Sequence, residues 1–433
     1  MEQRVCCDHL VTQDPSCWST LHPTCIVRLV GVTFGANGRL YHAPARPVLG
    51  VCADGWDPEY VDDALERGLM PRVAEALADG GSYALARAQV PTFTNPNNVA
   101  IVTGVCAARN GIAGNHYRAA DGHEVQLTDA SFLRATTIHA EALEAGVPVL
   151  CVTAKDKLRA LLAAGGVPAF SAECAHEQAL EDGTPVTALL ERPNPSIYDW
   201  RLSPYAIDLS LALAARLQAR LVYVSLTDFV QHTAAPRQPL ADEFYRAVDA
   251  ALGRALDAGF VVGLVADHGM RAKTSPDGSP NVRFLDEALD AAGVAGGHTL
   301  CPITDPYVAH HAALGSLAWV HLDDQSQLDR ARSALAALRG VEGVLDRSAA
   351  AESFELPADR IGDLVVLADG VTVLGKSRAA HDFSALEGCL RSHGGLHERL
   401  VPLIVCQRLK EDALAGRDLH NRDLHHLLLN ELA

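Results

Sequence analysis

Five short runs of consecutive apolar, largely β-branched residues punctuate the chain: PVLGVCAD (47–54), VPVLCVT (147–153), LVYVSLTD (221–228), FVVGLVAD (260–267) and VPLIVC (401–406). Each is too short for a helix and lacks the alternation of a half-exposed strand, so each reads as a strand buried on both faces. Between them, apolar positions recur every three or four residues in PEYVDDALERGLMPRVAEALADGG, TTIHAEALEAG, SPYAIDLSLALAARLQA and LADEFYRAVDAALGRALDAG. Three of these four close on glycine, a helix stop. Buried strands separated by amphipathic helices predict an α/β fold, a mostly parallel sheet covered by helices on both faces.

The pattern changes after about residue 275. SLAWVHLDD, the helical QSQLDRARSALAALRGVEG, and the pair DLVVLAD and VTVLG suggest a smaller α+β unit before RSHGGLHERLVPLIV resumes the main pattern. The expected organisation is a core of residues 29–274 and 381–433 with a cap, 275–380, inserted between two of its strands.

Charge and cysteines narrow the function. A formal charge of −17 over 433 residues argues against a nucleic-acid binder, which needs a basic face. No apolar run approaches the roughly 20 residues that span a bilayer. The eleven cysteines are odd in number and mostly dispersed in apolar runs, which suggests reduced thiols and a cytoplasmic protein. Cys6, Cys7, Cys17 and Cys25 cluster early but lack the paired spacing of a zinc knuckle. Residues 1–28 show no secretory signal pattern and are expected to form a poorly ordered extension.

In an open α/β sheet, ligands bind beyond the carboxyl ends of the strands. The first run ends at Asp54, the second leads into Lys155 and Lys157, the third ends at Asp228 with His232 four residues on, and the fourth ends at Asp267, followed by His268-Gly269; His393 precedes a glycine pair ahead of the last. Asp and His together suit zinc and its neighbours. Three aspartates and three histidines exceed the needs of one open catalytic ion and suit two, which about 3.5–4 Å apart clamp an in-line phosphoryl displacement. Separately, each has a plain structural reading: Asp54 as a helix cap, Asp228 and His232 as a local pair, the lysines as solvated loop charges. His310-His311 and His425-His426 are neighbours that point apart, and read as structural or surface residues.

A nucleophile is available in PTFTNPNNVAIVTG (91–104). Asn95 is expected at the N-cap of a helix, Pro96 at its first position and Gly104 at its stop. Thr94 then stands at the positive end of that helix, where an alkoxide or a phosphate is favoured.

The ordered set Asp54, TFTNPNN, GNHY (114–117), AKDKL (154–158), TDFVQH (227–232), ADHGM (266–270) and SHGG (392–395) resembles the alkaline phosphatase superfamily from about residue 29 onward. ADHGM and the Thr-Asn-Pro-Asn-Asn segment resemble its nucleotide-pyrophosphatase branch; AKDKL and RSHGGLHE resemble the phosphonoacetate hydrolases within it. The resemblance implies an alkaline-phosphatase-like core with a cap. It implies Thr94 as nucleophile, and two zinc ions, with manganese or iron as alternatives. Asp54, Asp267 and His268 would hold the ion that also takes the Thr94 oxygen, and Asp228, His232 and His393 the other, with His397 a rival for the last place. Asn115 would read a phosphoryl oxygen, and Lys155 and Lys157 the far end of a phosphonoacetate substrate. The implied reaction cleaves the C–P bond to acetate and phosphate through a phosphothreonine. A phosphodiesterase or nucleotide pyrophosphatase and a non-catalytic metal-binding relative are the rival readings, and a homodimer stays open.

Overall fold

The computed structural model describes residues 31–303, 312–384, 386 and 388–433. The expected extension at 1–28, with its four cysteines, and the pair His310-His311 lie outside them. In chain order the two main sheets take strands β1 (Val48–Cys52), β2 (Ser82–Arg87), β3 (Val149–Thr153), β4 (Ala169–Ser171), β5 (Leu221–Ser225), β6 (Val261–Val265), β7 (Gly297–Leu300), β8 (Leu317–Leu322), β9 (Val341–Asp346), β10 (Leu364–Ala368) and β11 (Leu400–Val405).

The larger sheet runs β2-β11-β6-β1-β5-β3-β4. Strands β6, β1, β5, β3 and β4 pair in parallel, whereas β11 pairs antiparallel with both β6 and β2. All residues of β1, β3, β5 and β6 are buried, as their unbroken apolar runs require. The five runs that the apolar pattern marks are all strands. The antiparallel direction of β11 and the added strands β2 and β4 go beyond that pattern.

Helices α2 (Leu202–Leu217), α3 (Pro239–Asp257) and α4 (Leu424–Asn430) are among those that pack on this sheet, and α1 (Thr94–Thr103) packs against α4. The long helical stretch after β1 is two helices, Pro58–Glu66 and Pro71–Ala78. Gly68 between them takes a positive φ of 67°, and Pro71 starts the second without an N–H to lose.

The smaller, antiparallel sheet runs β7-β8-β10-β9. Alternate residues of β8 and β10 point to opposite faces. Ala318, Val320, Leu364 and Val366 pack with Leu285 and Leu335, whereas Leu317, Trp319, Val365 and Leu367 pack with Val90 and Phe93. That second contact seats the small sheet on the segment leading into α1. Among the described residues no helix is long and apolar enough to cross a membrane, and the seven cysteines there are free thiols.

Candidate active site

Strand register creates the site. Cys52 of β1 pairs with Ser225 of β5, Ser225 with Thr153 of β3, and Val265 of β6 with Cys52. The carboxyl ends of four adjacent strands are therefore level, and the residues just beyond them, Asp54, Lys155, Asp228 and Asp267, meet at one edge. All four are buried. Lys155 Nζ lies 2.7 Å from Asp54 Oδ2 and 2.6 Å from Asp228 Oδ1. His268 Nε2 lies 3.3 Å from Asp54 Oδ1 and 3.7 Å from Asp267 Oδ2. His232 Nε2 lies 3.1 Å, and His393 Nε2 3.8 Å, from Asp228 Oδ2.

Two groups that could hold a metal ion emerge, Asp54–Asp267–His268 and Asp228–His268–His393, each with its candidate donor atoms within 4.8 Å of one another. His232 joins the second through Asp228. The local pair expected of Asp228 and His232 thus exists within the cluster. His397, the rival of His393, lies elsewhere, with Nε2 2.8 Å from Glu342 Oε2. Asp54 caps no helix; Asp57 accepts from the Glu59 N–H instead.

Each histidine is aimed by its other ring nitrogen. Nδ1 of His232, His268 and His393 donates to the carbonyls of Arg391 (2.8 Å), Gly269 (2.9 Å) and Thr92 (2.7 Å). Carbonyls only accept, so Nδ1 carries a proton in each and Nε2 faces the site; in the neutral ring this leaves the Nε2 lone pair inward, the tautomer a metal ligand needs. Arg391 further donates to the carbonyls of Gln231 and Met270, tying the segments of His232 and His268 to that of His393.

The electrostatics are those of a cation site. Burial and the Asp54 charge push the Asp267 carboxyl up to about 8. Burial pulls the His268 imidazole down, but the Asp267 and Asp54 carboxylates outweigh it and hold it at about 9. Burial raises the Asp228 carboxyl, but Lys155 and His232 together hold it well below its ordinary value. Asp54 Oδ1, Asp228 Oδ2, His268 Nε2 and His393 Nε2 are buried and make no hydrogen bond. Those four unsatisfied atoms, buried and aimed at one another, fit divalent cations, while Lys155 engages the other oxygens of Asp54 and Asp228.

Helix α1 brings Thr94 to this cluster. Every residue of α1 is buried, so Thr94 rides on a rigid core element. The extended residue before the helix is Phe93, and Thr94 is its first helical position. The N-cap therefore falls two residues earlier than the expected Asn95, whose amide is drawn away to the Leu127 carbonyl, 3.1 Å distant. Phe93 meets the His393 ring edge to face, centroids 5.7 Å apart. Gly394 makes this approach feasible: its φ is +123°, and a Cβ there would lie 2.4 Å from the Phe93 ring. One turn after Thr94, Asn98 Nδ2 donates to Asp267 Oδ2 (3.2 Å) and to the Thr94 carbonyl (3.0 Å). Tyr223 in turn donates to Asn98 Oδ1. Thr94 thus stands between a residue packed on His393 and one bonded to Asp267.

Asn115 Oδ1 accepts the Asn95 N–H at 3.3 Å, placing the amide beside Thr94, and its Nδ2 donates to the Ile303 carbonyl. Lys157 is half-buried on the turn after Lys155. Sequence reasoning missed Asn98, Thr92, Tyr223 and Arg391. Only Asn98 left a local signal, since it sits four residues after Thr94 on the same face of α1.

The model of the type I phosphodiesterase / nucleotide pyrophosphatase family matches residues 48–395, which include every residue of this cluster. The chain belongs to that family. Members of the phosphodiesterase family are hydrolases of the phosphoesterase superfamily. Among solved structures, phosphonoacetate hydrolase from Sinorhizobium meliloti 1021, in complexes with phosphonoformate and with phosphonoacetate, is 40% identical. The match covers 92% of this chain and 98% of that one, with a TM-score of 0.85. Murine ectonucleotide pyrophosphatase / phosphodiesterase 5, an inactive form with AMP, is 18% identical over 90% of this chain and 96% of that one, at a TM-score of 0.61. The α/β core is the alkaline-phosphatase-like fold common to this phosphodiesterase family.

Proposed function

We propose that this protein hydrolyses the C–P bond of phosphonoacetate, yielding acetate and phosphate. The observation that carries the reading is the 40% identity, over nearly the whole chain, to a hydrolase solved with phosphonoacetate. It is supported by two lysines on the turn that follows β3, beside the buried aspartates. Asp54, Asp267 and His268 would hold one zinc ion and Asp228, His232 and His393 the other, with manganese or iron as alternatives. When bound, the ions lower the hydroxyl pKa of Thr94 and offset charge on the phosphoryl oxygens. Residues 275–380 act as the cap, and the free thiols accord with a cytoplasmic setting.

Thr94 Oγ attacks phosphorus, forming an O–P bond as the P–C bond breaks; the hydroxyl proton passes to solvent. The electron pair leaves on the methylene carbon and delocalises into the carboxylate as an enolate, which a proton converts to acetate. Water then attacks the phosphothreonine at phosphorus, releasing phosphate and restoring the hydroxyl. The N-terminal N–H groups of α1 favour the developing negative charge, and Asn115 steadies an equatorial oxygen. Lys157 meets the carboxylate as it gains charge, an interaction stronger in the transition state than in the ground state; Lys155, bonded to Asp54 and Asp228, holds those two carboxylates in place.

Family membership supports a second reading, a nucleotide phosphodiesterase. Phosphate and acetate release from phosphonoacetate, measured beside phosphate-diester cleavage on the same zinc-loaded protein, separates the two. We expect equal release of both products and a higher kcat/KM for phosphonoacetate. No release, or faster cleavage of the diester, overturns the proposal.

A further inference from the structure

Lys273 and Glu398 form an ion pair, Nζ to Oε1 2.8 Å, with both side chains fully buried. Burying two charges costs more desolvation than their attraction commonly returns, so such a pair is weak evidence of a stability role. Its remaining bonds point to another role. Lys273 Nζ also donates to the Gly370 carbonyl (3.1 Å), in the turn between β10 and the short strand Val373–Gly375 beside the smaller sheet. Glu398 Oε2 accepts the Gly395 N–H (3.0 Å), two residues after His393. The Glu398 carbonyl accepts the Gly269 N–H (2.8 Å), the residue after His268. One buried pair thus joins the His268 turn, the His393 turn and a turn of the smaller sheet.

We infer that Lys273 and Glu398 are positioning residues for the metal centre, holding His393 against His268 and tying both to the smaller sheet. The inference rests on the metal-binding reading above. Neither residue touches substrate or a ligand atom; they act through the two glycine turns. The pair is rigid because every oxygen of Glu398 is engaged and Lys273 spans two partners.

The test uses the full chain with zinc alone as the probe. The parent is compared with Lys273→Met/Glu398→Gln, which removes both charges together, so that no uncompensated ion is left in the core, and keeps an acceptor for Gly395. Zinc affinity is measured by chelator competition, and thermal midpoints are taken with and without zinc. The double variant is expected to fold and to bind zinc roughly 10-fold or more weakly, as loss of an outer-shell partner does. Its zinc-induced rise in midpoint should shrink accordingly. A purely structural role would lower both midpoints equally and leave zinc affinity at the parent's value, which overturns the inference. Should the double variant fail to fold, Lys273→Met alone, beside which Glu398 can take up a proton and stay neutral, must still weaken zinc, and parental affinity there is equally fatal. A parent chain that binds no zinc instead removes the metal reading and this inference with it.

Discussion

The imidazoles of His268 and His393 lie face to face, ring centroids 3.6 Å apart and 6° from parallel, although one follows β6 and the other precedes β11. Both turn Nε2 into the carboxylate cluster, whereas His397 turns to Glu342. His393→Ala should therefore cost zinc from the purified protein, roughly 10-fold or more in affinity, and His397→Ala should leave it unchanged. Elemental analysis and chelator competition on both variants check this. Zinc loss in the His397 variant alone would reverse the assignment.

Thr94→Ala should lower turnover by at least about 10³-fold while metal content stays at the parent level, since the hydroxyl is the proposed nucleophile and the proposed Asp and His ligands are untouched. Thr94→Ser keeps the hydroxyl and loses only the methyl that restricts χ1, so partial activity should survive. Comparable turnover by the alanine variant would make water the direct nucleophile.

The two lysines should separate. Lys155 Nζ contacts Asp54 and Asp228, so its replacement by Met should impair phosphonoacetate and an aryl phosphate ester alike. Lys157→Ala should lower kcat/KM for phosphonoacetate by roughly 10²-fold, about 3 kcal/mol for one charge-assisted contact, and spare the aryl ester, which has no carboxylate to hold. Equal losses on both substrates in the Lys157 variant would contradict its role in reading the carboxylate.

Acid should destabilise the core through histidines that the reaction does not use. His425 and His139 meet edge to face beneath β1 and β5, centroids 5.0 Å apart. Burial pushes the His425 imidazole down to about 4, and burial with the neighbouring His425 holds His139 well below its ordinary value. In the unfolded chain both regain a value near 6.5. Between about pH 6.5 and 4 the unfolded state binds more protons, so stability is complete above this window and falls as pH drops through it. For His425 the loss is about 3 kcal/mol. Thermal midpoints of chelator-treated protein should fall across that range, and less steeply in His425→Asn, whose amide can still donate to the Ile101 carbonyl that His425 Nδ1 bonds. Parallel slopes would exclude His425 as a source.

By itself the sequence determined the strands and the chemistry at their ends. An unbroken apolar run is buried wherever it packs, and a parallel sheet sends polar residues beyond its carboxyl ends whatever the loops do. Asp54, Asp228 and Asp267 are therefore legible from the order of residues alone. Local signals go no further than their own range. SYALAR is a partly exposed edge strand and AFS has three residues, so neither β2 nor β4 carries a periodic signature. The shift of the α1 cap from Asn95 to Phe93 depends on a carbonyl at Leu127, which no neighbouring residue encodes. Four residues separate His393 from His397, too few for the sequence to choose between them. Only the tertiary structure separates their surroundings, because closure of the chain leaves His393 against Asp228 and His397 against Glu342. The Lys273–Glu398 pair and the Asn98 link to Asp267 likewise arise only when segments distant in sequence are folded together, because hydrogen bonds and desolvation act on what is adjacent in space.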